Sequence, residues 1–106
     1  MKDYELNDFT NGWFVGNFEP SIFKTDEFEV SVKFFQKGDR EPLHKQNIAT
    51  EITVVILGTV QMNAKEFTKG AIIEIEPGEP CEFYSVTDSA LICLKFPSIP
   101  NDKIVI

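Results

Sequence analysis

An all-β protein, a sandwich or barrel of short strands, is the fold the sequence predicts, and three observations predict it. Apolar and polar residues alternate with period two through most of the chain. Turn residues recur every eight to twelve positions or so, the spacing of short antiparallel strands. No window of helical length carries apolar residues at three-and-four spacing, so helix content should be low. The 106 residues suit a single domain over 1–106, with an N-terminal arm over about 1–12 and a C-terminal tail over about 97–106. A domain of this size buries only roughly 60–70% of the surface its unfolded chain exposes. Its core therefore needs bulky side chains, which ten Phe, one Trp and two Tyr supply.

The elements follow in order. The arm, MKDYELNDFTNGW, is acidic and lacks the apolar stretch of a secretory leader. From Phe28 to Phe34 the even positions are apolar and the odd ones polar, as a half-buried strand requires. Glu51 to Leu57 is continuously apolar after Thr53 and rich in β-branched residues, which predicts a strand covered on both faces. Gly58 marks a turn, Val60 to Met62 a return strand, and Asn63-Ala64-Lys65 the next tight turn. Ala71 to Ile75, the turn Pro77-Gly78-Glu79-Pro80, Cys81 to Val86, the turn Thr87-Asp88-Ser89 and Ala90 to Phe96 complete the pattern. Pro97 and Pro100 bracket a loop, and Ile104-Val105-Ile106 forms an apolar tail expected to pack on the barrel or on a second subunit. A homodimer is the expected assembly, since open sheet edges and apolar surface need covering.

Charge bounds the partners. The net charge is −7 and no run of basic residues occurs, so neither nucleic acid nor an anionic membrane surface is an expected partner. Apolar runs such as VVIL at 54–57 fall far short of the ~20 residues a spanning helix needs. Cys81 and Cys93 lie in separate strand-like segments and are expected as free thiols of a cytoplasmic protein. Neither a glycine-rich phosphate loop, a CxxC pair nor a nucleophile elbow is present.

The only histidine stands in a patterned stretch. Five residues separate Gly38 from His44, one separates His44 from Gln46, four separate Gln46 from Glu51, and six separate Glu51 from Gly58. This spacing resembles the first motif of the cupin superfamily, Gly, five residues, His-x-His, three or four residues, Glu, six residues, Gly, with Gln46 in place of the second histidine. The stretch from Gly70, GAIIEIEPGEPCEFYS, is similar to the second motif. There Gly70 and Gly78 match, Glu76 stands for the first proline, Cys81 for the last histidine and Ser85 for the asparagine. The resemblance implies a double-stranded β-helix, or jelly-roll barrel. It also implies a site for one divalent metal (zinc, iron, manganese or nickel), carried over onto His44, Gln46, Glu51 and Cys81.

Each residue also has a plainer reading. His44 can be a buried imidazole bonded to Glu51, Gln46 a hydrogen-bonding group in a dry pocket, and Cys81 a small apolar filler. Cys93 reads as core, and Trp13 as core or as a ring at the barrel mouth that stacks on a ligand. Asn47 and Thr50 are placed at the pocket entrance. The leading functional expectation is a small barrel binding a small polar molecule, a sugar or carboxylate, through His44, Gln46, Thr50 and Glu51. The alternative is a metal-dependent isomerase, lyase or dioxygenase with His44 and Glu51 as ligands, and a third reading is a purely structural role with the pocket filled by side chains.

Overall fold

A computed structural model describes residues 1–106, and it is all-β. The only helical segment is a single 3-10 turn, Leu6–Asp8, in the N-terminal arm. The strands are β1 Trp13–Gly16, β2 Phe23–Lys24, β3 Glu29–Phe35, β4 Arg40–Gln46, β5 Thr50–Leu57, β6 Thr59–Met62, β7 Lys65–Thr68, β8 Ile72–Ile75, β9 Cys81–Ser85, β10 Ser89–Phe96 and β11 Lys103–Val105. They form a six-stranded sheet in the order β2-β1-β3-β10-β5-β8 and a five-stranded sheet in the order β11-β4-β9-β6-β7. No helix is long and apolar enough to cross a membrane.

The turns form where the sequence places them. Gly58 has φ +82°, and a Cβ there would sit 2.2 Å from the carbonyl oxygen of Asp88, so only glycine allows β5 to turn into β6 beside the 87–89 turn. Asn63 and Ala64 both have positive φ, the backbone of a type I′ hairpin between β6 and β7. The Asn63 side chain bonds the Pro80 carbonyl and the Glu82 amide, joining that hairpin to the start of β9.

Between the sheets, Val55, Val60, Met62, Ile75, Cys81, Phe83 and Leu91 form the buried core, with Phe35 and Phe83 rings 4.5 Å apart. The facing side chains of β3 come from its odd positions. Lys33 and Phe35 line the interior and Ser31 is fully buried, whereas Phe34 is 70% exposed. This inverts the reading of the 28–34 alternation as apolar side in, because the interior of this barrel holds a polar site.

Cross-strand register then fixes the outer face of the six-stranded sheet. One row reads Val32, Ile92, Val54, Ile72; beside it run Val30, Leu94, Ile52, Glu74 and, past a bulge that leaves Ile56 unpaired, Phe34, Ala90, Leu57. The sequence predicts cover on both faces of β5, yet this outer face lies open. The tail joins the barrel as an edge strand. β11 pairs with β4 at the edge of the five-stranded sheet, but the side chains of Ile104, Val105 and Ile106 stay exposed.

Candidate functional site

The site forms where the inner faces of the two sheets meet. On the six-stranded sheet one inner row is Glu29, Lys95, Glu51, Ile75, followed by Ser31, Cys93, Thr53, Ile73 and then Lys33, Leu91, Val55. On the facing sheet His44 is the cross-strand neighbour of Cys81, and Gln46 of Lys103. His44 and Glu51, each 8% exposed, line one small cavity of about 40 Å³ together with Thr53, Cys81 and Cys93. A water needs ~10–15 Å³ by this measure, so the cavity takes a small functional group rather than a whole metabolite.

The polar groups inside are only partly engaged. His44 Nδ1 lies 2.9 Å from the Pro42 carbonyl oxygen. That oxygen can only accept, so Nδ1 carries the proton and, in the neutral ring, Nε2 is the free nitrogen. Glu51 accepts a hydrogen bond from Thr53 Oγ1 at 3.2 Å. No hydrogen bond or ion pair joins His44 to Glu51, so the reading of His44 as the partner of that acid does not hold, although both line the same space.

The cavity adjoins an outer recess of about 680 Å³. Trp13, Lys33, Phe35, Glu41, Lys95 and Lys103 line both spaces and form the partition between them. The far wall of the recess is the arm, with Leu6, Asn7, Phe9, Asn11 and Gly12. Gly12 is required there, since a Cβ would sit 2.1 Å from the Val32 carbonyl oxygen. At the partition the ammonium groups of Lys33 and Lys95 stand 5.1 and 4.9 Å from the centroid of the Trp13 ring. Neither forms an ion pair, although register sets Lys95 between Glu29 and Glu51; Lys103 pairs with Glu41 at 3.7 Å.

Two of the sequence-predicted residues lie elsewhere. Thr50 is on the opposite face of β5 from Glu51 and Thr53, because successive strand residues alternate, and it takes no part in the cavity. Gln46 is buried (3% exposed) but lines a different recess, of about 220 Å³, beside the 97–103 segment, and both polar atoms of its amide lack a partner.

The metal set fares no better as a set. No three His, Cys, Asp or Glu side chains gather closely enough to hold a metal ion. The Cys81 thiol bonds the Glu82 carbonyl at 3.6 Å, and burial, then Glu51, Glu41, Glu79 and Glu82, push its pKa up to about 12. A thiolate is the form that binds metal, and these surroundings oppose it. With Gln46 directed to another recess and Cys81 held neutral, His44, Gln46, Glu51 and Cys81 do not fit a metal centre in this arrangement. Cys93 is likewise free, and burial with Glu51 pushes its thiol pKa up.

Sequence reasoning missed Lys33, Lys95 and Lys103 as site residues, and left Trp13 between core and barrel mouth. The signal for Lys33 was present: it sits on the minority face of an alternating strand, the face that turned inward.

No protein-family model matches the chain, and no curated protein does either. Solved structures do. The chain is similar to an RmlC-like cupin from Shewanella frigidimarina, at 20% identity and TM-score 0.67 over 72% of this chain and 71% of that one. It is similar to the DMSP lyase DddQ from Ruegeria pomeroyi, at 18% identity and TM-score 0.73 over 88% of this chain but 49% of DddQ, about half that protein's length. A Klebsiella pneumoniae protein with a double-stranded β-helix domain matches over 98% of this chain and 90% of its own, at 14% identity and TM-score 0.71. At these identities the likeness shows the fold, the double-stranded β-helix of the cupins.

Proposed function

We propose that, on its cupin β-helix, the chain binds a small carboxylate-bearing molecule, with the body of the ligand in the outer recess and a polar end reaching the inner cavity. The observation that carries this reading is the pair of lysines at the partition. In a chain of net charge −7, Lys33 and Lys95 converge on one indole without a carboxylate partner of their own. Two unpaired ammonium groups in a concave, partly desolvated mouth are a ready counter-charge for an anion. Trp13 offers a flat apolar face against which a sugar ring or short carbon chain can lie. His44 and Glu51 then read the end that enters the cavity, the imidazole by Nε2 and the acid by its carboxyl oxygens.

Thermal-shift screening tests this. Sugar acids and small organic acids should raise the melting temperature, neutral sugars of the same size should not, and Lys95→Ala or Lys33→Ala should weaken binding by roughly 10–100-fold. Neutral sugars binding as tightly as their acids, or lysine variants binding unchanged, would sink the reading.

A second reading rests on His44 and Glu51 together. Two groups able to take or give a proton in one small cavity suit metal-free general acid–base chemistry on the same ligand, of the isomerase or lyase kind. Protein purified without a metal-binding tag should carry less than a tenth of an equivalent of transition metal (roughly, against the one that a full site would hold). Turnover of a ligand found in the screen that His44→Gln abolishes, with binding retained, would establish catalysis.

A further inference from the structure

We infer that the recess beside the 97–103 segment is a second binding site, apart from the lysine-flanked one, for a small neutral molecule with a carboxamide or lactam edge. Gln46 carries the inference. It is 3% exposed, and neither the oxygen nor the nitrogen of its amide has a hydrogen-bond partner. The other buried polar side chains around this recess are all engaged. The Ser98 hydroxyl accepts from the Asn17 amide and donates to Glu29, both at 2.8 Å. The Asp102 carboxylate accepts from the amides of Ile48 and Ala49. These bonds lock the walls, and the Gln46 carbonyl is fixed as well, accepting from the Gly78 amide at 2.7 Å. A buried amide unsatisfied at both atoms lowers stability. Such a group inside an otherwise satisfied setting marks a place where function overrides stability.

The lining selects the ligand. The recess measures about 220 Å³. A water needs ~10–15 Å³ by this measure, so a whole small molecule fits. Its charged residues, Glu29, Asp102, Lys95 and Lys103, cancel. Both ammonium groups also serve elsewhere, that of Lys95 at the Trp13 ring and that of Lys103 at Glu41. A carboxylate ligand would face Glu29 and Asp102, and since it can only accept it would leave the Gln46 oxygen unpaired. A ligand amide is the complement: its carbonyl accepts from Gln46 Nε2 while its N–H donates to Oε1. These two parallel bonds are the pairing by which glutamine reads the edge of an adenine base. Both Gln46 atoms are shut off from bulk water, and a turn about the terminal torsions of the side chain presents them to the recess. Phe18, Pro97, Ile99 and Pro100 supply apolar walls for the ring or chain that bears the amide.

Ligand-observed NMR tests this with pyrrolidinone and nicotinamide as probes. Each has a counterpart that breaks the pairing: N-methylpyrrolidinone lacks the N–H, and nicotinate is an anion. The amides should bind to the wild-type protein, and the counterparts at least about 10-fold more weakly. Gln46→Met, apolar and close in length, should abolish that difference and raise the melting temperature by about 4 °C or more. Equal binding of pyrrolidinone and its N-methyl form overturns the inference, and so does a lack of binding by either amide at about 20 mM, since fragments of this size bind weakly even to a good site. A Gln46→Met protein that melts below the wild type also overturns it, because the amide would then be held by a trapped water or a neighbour and not kept for a ligand.

Discussion

Burial, and after it the carboxylate of Glu51, holds the thiols of both cysteines protonated. The ordinary cysteine pKa is 9.0, and burial in the folded chain pushes that of Cys81 up to about 12. Below the first value both states keep the proton and the difference contributes fully to stability. Above it the unfolded chain releases its protons while the folded chain does not, so stability should fall as pH rises, by at most about 1.4 kcal/mol per unit for each thiol. Urea denaturation between pH 8 and 11 or so should show a shallower loss for Cys81→Ala than for the wild type; parallel slopes would refute the assignment. Iodoacetamide should leave both thiols of the folded protein intact near neutral pH. At this scale the sequence was informative about His44, Glu51 and Cys81, because motif spacing carries them. It was silent about Lys33, Lys95 and Lys103, because each belongs to a different strand and only strand order brings them together. Gln46 was misplaced for a related reason: period two puts it on the same side as His44, but the 97–103 segment walls it off in a recess of its own.

Among the elements, the segment after β10 has the largest structural effect for its length. Its Asp102 carboxylate accepts from the amides of Ile48 and Ala49, both at 2.9 Å, while its carbonyl accepts from Asn47. The turn between β4, which carries His44, and β5, which carries Glu51, is therefore fixed by a residue some fifty positions away in sequence. Asp102→Ala leaves two backbone donors without an acceptor, that of Ala49 buried and that of Ile48 part-buried, and should cost about 1–3 kcal/mol, with Asp102→Asn costing less because one oxygen remains. Chemical denaturation measures this, and a loss within about 0.5 kcal/mol of zero would show that water replaces the carboxylate. Because the same turn spaces the two site residues, Asp102→Ala should also weaken whatever ligand the screen finds. The strands with clean alternation or dense β-branching, β3, β5, β6, β8, β9 and β10, were legible in the sequence. The short β1 and β2 were not, since two to four residues show no period. For Asp102 the 97–102 stretch reads as loop, and nothing local announces a long-range cap.

For the molecule as a whole, the alternation of β3 and the run in β5 pose one question from two sides. The period of β3 reads correctly but its sense is reversed, since the polar positions face a site and the apolar ones face out. The β5 run asks for cover on both faces, and a lone chain covers one. The homodimer that the sequence leads one to expect would answer both if it paired through the outer sheet, and it would make stability depend on concentration. If unfolding also separates two chains, each tenfold rise in protein concentration favours the native dimer by RT ln 10, about 1.4 kcal/mol. With an unfolding enthalpy near 0.7 kcal/mol per residue over two chains of 106 residues, the melting temperature should rise by roughly 2–4 °C per decade. Differential scanning calorimetry across two decades of concentration reads this directly. Phe34→Lys should melt at one temperature throughout, and below that of the concentrated wild type. A wild-type melting temperature that stays flat over the same range would mean that the apolar face is left in water, and that the sheet tolerates it for reasons other than self-association.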